Sequence, residues 1–181
     1  MTNSDVPAPR KPVRRRRKRV IAIQVLLALG LVLGMWLSFR ADSEAPVSVA
    51  PAYLGNLALV EQTTGQEALS QMRTLHGTEI GVIDGYIARY EGGGDRVTVW
   101  VGQAEDPSAA QGLLELMTEK IAAGNPSFRD LEQMLVDGKG VYSVVGGGER
   151  HYYYRDGAIV IWVSVSASDP MQVLRVALET L

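Results

Sequence analysis

Twenty consecutive residues without a charge, "VIAIQVLLALGLVLGMWLSF" from Val20 to Phe39, constrain this chain more than any other stretch. Wound as a helix, such a run is about 30 Å long, the thickness of a bilayer's hydrocarbon core. A cleaved secretory signal has an apolar region of roughly 7–15 residues ending at an A-x-A-like site. This run is longer, and cleavage within "SVAPA" would leave Pro51 directly after the cut. The adjacent arginines upstream suggest a twin-arginine signal, but the run is too long and apolar for that. The sequence therefore predicts an uncleaved transmembrane helix over residues 20–39.

Charge sets its orientation. Eight Lys/Arg residues precede the run, and only Arg40 follows it closely. Basic residues stay on the cytoplasmic side. The N-terminus is expected inside and everything after residue 40 outside, with Trp36 and Phe39 at the outer aromatic belt. The lipid bilayer is then the first partner, through residues 20–39. Gly30, Gly34 and Ser38 recur every four residues, a small-residue stripe that lets two membrane helices approach closely. It points to a homodimer or a partner membrane protein.

Residues 1–19 form a basic tail with Pro7, Pro9 and Pro12, expected to be disordered. Basic runs attract nucleic-acid phosphate. This one has no interleaved aromatics and abuts the span, so it reads as an orientation signal touching anionic lipid. The whole chain holds 18 basic and 20 acidic residues. Residues 1–40 contain 9 of the basic residues and 1 of the acids, which leaves 9 and 19, a net −10, for residues 41–181. That acidity argues against nucleic acid as a partner of the domain. The absence of cysteine excludes disulfides, thiol catalysis and zinc–cysteine sites.

A polar linker over 40–53 leads to an extracytoplasmic domain over 54–181. Three helices have start signals. Thr64 with Glu67 forms a capping box before Leu69, Met72 and Leu75. Asp106-Pro107 opens a helix burying Ala110, Leu113, Leu114, Met117 and Ile121; Asp169-Pro170 opens one burying Met171, Leu174, Leu178 and Leu181. Strands are predicted at 57–60, 79–90, 95–103, 141–145, 150–155 and 158–165. Asp84-Gly85 either splits the second of these as a turn or lies within it. The fold class is α+β: one mostly antiparallel sheet with about three helices packed on one face.

Asp156-Gly157 reads as a two-residue hairpin turn. It places Tyr153 opposite Val160 and His151 opposite Trp162. Alternation then gives Tyr152, Tyr154, Ile159, Ile161, Val163 and Val165 to one face. The other receives His151, Tyr153, Arg155, Val160 and Trp162, with Trp100 beside them. Val97, Val99 and Val101 join the aliphatic face, which should meet the helices. His151, Tyr153, Trp162 and Trp100 then form either cross-strand packing or a half-open surface for a partner, a ligand or lipid headgroups.

The reactive chemistry is thin. His76 and His151 are the only histidines. Met72, Met117, Met134 and Met171 are soft donors, but three fall on apolar helix stripes and none has ligand spacing. No metal or cofactor is expected. There is no G-x-S-x-G and no H-E-x-x-H, and "GGGD" and "GGGER" lack the context of a phosphate loop. No catalytic residue can be assigned. A tail, a span and a small external domain are a common layout for accessory or interaction proteins of the bacterial envelope. The alternative is a small-ligand or metal-binding module using the face around His151, Tyr153 and Trp162. An enzyme ranks last; His151 within reach of a serine and a carboxylate would revive it.

Overall fold

The computed structural model describes residues 49–76 and 80–181. The basic tail, the span over 20–39 with Gly30, Gly34 and Ser38, and most of the linker lie outside the described residues. No helix among the described residues is long and apolar enough to cross a membrane.

Two-residue turns organise the sheet. They join β1 (Tyr53–Leu54) to β2 (Leu57–Thr64), β3 (Val82–Gly92) to β4 (Asp95–Ala104), and β5 (Phe128–Val136) to β6 (Lys139–Gly146). The last two join β6 to β7 (Glu149–Asp156) and β7 to β8 (Ile159–Ser166). Gly93-Gly94, Asp137-Gly138 and Gly147-Gly148 have positive φ at both positions, the type I′ pattern whose twist suits a hairpin. Gly157 is positive at φ 54 and Ala158 is not, the type II′ pattern.

That last turn corrects the predicted register. The loop is Gly157-Ala158, so Tyr153 faces Trp162 and His151 faces Ser164. The shift is two residues. An even shift preserves the faces, because side chains alternate with period two.

The strands form one antiparallel sheet in the order β1-β2-β3-β4-β8-β7-β6-β5. Helix α1 (Gly65–His76) lies along β3 and β2. Helix α2 (Pro107–Ala122) links β4, in the middle, to β5, at the far edge. To get there it must cross β8, β7 and β6 on one face. Helix α3 (Pro170–Thr180) follows β8 and packs on the other. Asp106 and Asp169 cap α2 and α3, accepting from the amides of Ala109 at 2.8 Å and Gln172 at 3.1 Å.

Two cores result. Tyr86, Tyr90, Val97, Val99, Val101, Tyr154, Ile161 and Val163 pack with Leu174, Ala177 and Leu178 of α3. Val144, Tyr153 and Val160 pack with Ala110, Leu114 and Ile121 of α2. The α+β class and antiparallel sheet are as expected, but the helices do not share one face. Leu75, expected on the buried stripe of α1, is 68 % exposed, and Ala68 is buried instead.

Asp84-Gly85 is not a turn. Both residues pair with β4 inside β3, just after an irregularity between Val82 and Asp84. A Cβ on Gly85 would lie 2.2 Å from the Val101 carbonyl oxygen, so only glycine allows β4 so close. β5 was not anticipated. It is an edge strand with an irregularity between Arg129 and Glu132, where Asp130 has φ 56.

Candidate functional site

Four aromatic side chains cross the sheet in register. Trp100 pairs with Trp162, Trp162 with Tyr153, and Tyr153 with Tyr142, on β4, β8, β7 and β6. Tyr153 stacks on Trp162 with ring centroids 4.9 Å apart and planes 8° off parallel. Tyr142 stacks on Tyr153 at 5.1 Å and 14°. Phe128, at the start of β5, closes over the row, 5.1 Å from Trp162 and 5.3 Å from His151.

The chain itself covers the centre of this row. Tyr153 is 0 % exposed beneath α2, with its hydroxyl 3.2 Å from Thr118 Oγ1. His151, Trp162 and Trp100 are half-buried. The expected residues are thus brought onto one face, but the face is not open at Tyr153. Burial raises the Tyr153 phenol above its ordinary value of 10.0, and the Thr118 hydrogen bond offsets part of the rise.

His151 answers the question its sequence context raises. Its Nδ1 accepts the indole N–H of Trp162 at 3.1 Å, and its Nε2 lies 3.0 Å from the Gly146 carbonyl oxygen. A carbonyl only accepts, so Nε2 carries the proton and Nδ1 does not. Both nitrogens are therefore engaged. A serine and a carboxylate lie close by: Ser164, across from His151, donates to Glu149 Oε2 at 2.5 Å. The imidazole bonds to neither group, so it does not activate the serine in this arrangement.

No group of three or more His, Cys, Asp or Glu residues that could hold a metal is present among the described residues. Met72 is buried, and Met117, Met134 and Met171 pack against the two cores. Of His76, only the backbone, at the end of α1, is described.

One end of the aromatic row remains open. Beyond Tyr142, an open groove of about 320 Å³ runs between α2 and the ends of β5, β6 and β7. Gln111, Leu114, Gln133, Lys139, Tyr142 and Arg155 line it. Alternation along β7 places Arg155 on this face with Tyr153. The signal that could have marked it is its spacing from Tyr153, two residues along one face.

No protein-family model matches this chain, and no curated protein or solved structure matches it.

Proposed function

We propose that this chain is a single-pass protein of the bacterial cytoplasmic membrane, with its N-terminus inside and its α+β domain outside. The domain acts as a non-catalytic accessory or interaction module. The observation that carries this reading is the uncharged run Val20–Phe39, with eight basic residues before it and Arg40 alone close behind. The stripe Gly30, Gly34 and Ser38 supports association with a second copy or a partner membrane helix.

A binding rather than a catalytic role is supported by how the reactive groups are used. His151 holds a tryptophan and a turn, and Ser164 holds Glu149. Alkaline carbonate washing of membranes, followed by intact-mass measurement, tests the anchor. The proposal expects the protein to stay in the membrane and to retain its first residues. Release by carbonate, or a mature chain starting after residue 39, would refute it.

A further inference from the structure

We infer that the groove beside Arg155 is a binding site for a small monocarboxylate with a flat body. The inference goes beyond the membrane placement and does not depend on it.

Arg155 is held ready. Its Nε donates to Gln111 Oε1 at 2.6 Å, and Gln111 Nε2 donates in turn to Glu115 Oε1 at 2.6 Å. One terminal nitrogen makes a long 3.4 Å contact to the Gly157 carbonyl. The group that orients the guanidinium is thus a neutral amide, which leaves its charge uncompensated. No ion-pair partner of Arg155 is found among the described residues, although the domain is strongly acidic. Lys139, the nearest other cation, reaches toward α3 instead, where Asp156 at 2.5 Å and the Leu178 carbonyl at 3.2 Å hold its ammonium.

The ligand's chemistry follows. With Nε taken, the two terminal nitrogens remain to meet a carboxylate's two oxygens end-on. Asp156 and Lys139 neutralise each other and Glu115 lies one turn from Gln111, so a dianion would exceed the single free positive charge that Arg155 offers. A monocarboxylate fits that balance and a phosphate does not. Tyr142, stacked on Tyr153, is the aromatic residue of an otherwise mostly polar lining and offers a ring on which a flat body can lie. Gly140 also lines the groove and brings no side chain to it. The volume lies at the small end of ligand sites, which run from roughly 300 to 1,000 Å³.

The test is ligand-observed NMR with the full chain, in phosphatidylcholine nanodiscs or, where the chain does not insert, in buffer alone. The probes are benzoate, benzamide, inorganic phosphate, and the tripeptide Gly-Gly-Phe as its free acid and its C-terminal amide. Benzoate should bind saturably and Arg155→Met should weaken it by about tenfold or more, the loss of a charge-assisted hydrogen bond. Gln111→Leu leaves Arg155 in place but unpositioned, and should also weaken benzoate. It decides the matter if Arg155→Met fails to fold. Benzamide and phosphate should bind far more weakly. Preference for the tripeptide acid over its amide would identify a chain terminus as the source of the carboxylate. Benzoate without tripeptide binding would identify a free acid. No benzoate binding, binding unchanged in the folded variants, or equal binding of benzamide or phosphate would overturn the inference.

Discussion

Trp162 donates its indole N–H to Nδ1 of His151 across 3.1 Å, between adjacent antiparallel strands. The bond fixes the imidazole's tautomer, and Phe128 packs against both rings. A histidine that looks chemical in the sequence is part of the packing on the α2 side of the sheet.

His151→Ala should therefore destabilise the domain. It removes a partner from the half-buried Trp162 indole N–H and from the Gly146 carbonyl, a loss of roughly 1–3 kcal/mol. A freely exposed position would shift stability by no more than about 0.5 kcal/mol. Chemical denaturation followed by tryptophan emission distinguishes the two. An unchanged midpoint would show that the hydrogen bonds contribute nothing to the fold.

Tyr154→Phe should be neutral or stabilising. The Tyr154 hydroxyl is buried with no hydrogen-bond partner among the described residues. Removing it relieves a desolvation cost of about 1–3 kcal/mol while keeping the ring that fills the α3-side core. The neighbouring Ile161→Ala, which empties that core, should instead cost roughly 2–5 kcal/mol. A Tyr154→Phe protein as destabilised as Ile161→Ala would show that the hydroxyl is satisfied.

Stability should fall at high pH for a definite reason. Burial pushes Tyr90 from an ordinary 10.0 up to about 12, and drives Tyr86 and Tyr154 higher still. The folded state thus holds these protons more tightly than the unfolded chain. Below pH 10.0 the phenols are neutral in both states and add no pH dependence. As pH rises through 12 the unfolded chain ionises first, and stability is lost. Tyrosinate absorbance and circular dichroism should then change together for these residues. Ionisation of all three with the fold intact would contradict the burial.

Gly85→Ala should disrupt the pairing of β3 with β4. Its Cβ would lie 2.2 Å from the Val101 carbonyl oxygen, a backbone atom that cannot rotate away. A folded, equally stable Gly85→Ala protein would mean that the strands separate there at little cost.

Much of this fold was legible because local signals agreed. Asp106-Pro107 and Asp169-Pro170 mark helix starts, and period-two alternation sorted Tyr152 to Val165 onto their faces. The sidedness of the helices was not legible. It follows from β5 lying at the far edge, which forces α2 across the sheet. β5 escaped notice because its irregularity and the left-handed Asp130 interrupt the alternation over "FRDLEQMLV". The Asp137-Gly138 turn after it was the available signal. At the site, His151 and the tyrosines were conspicuous, whereas the Arg155 groove depends on Gln111, which only the crossing of α2 brings near.

Placement of the domain outside the membrane is the central claim, and the chain's lack of cysteine makes it directly measurable. Leu135 is 76 % exposed, so Leu135→Cys offers a thiol at the domain surface, and Thr2→Cys offers one in the tail. A membrane-impermeant maleimide applied to intact spheroplasts should label Leu135→Cys at once. It should label Thr2→Cys only after permeabilisation. Labelling of Thr2→Cys in intact spheroplasts, or protection of Leu135→Cys until permeabilisation, would contradict the account.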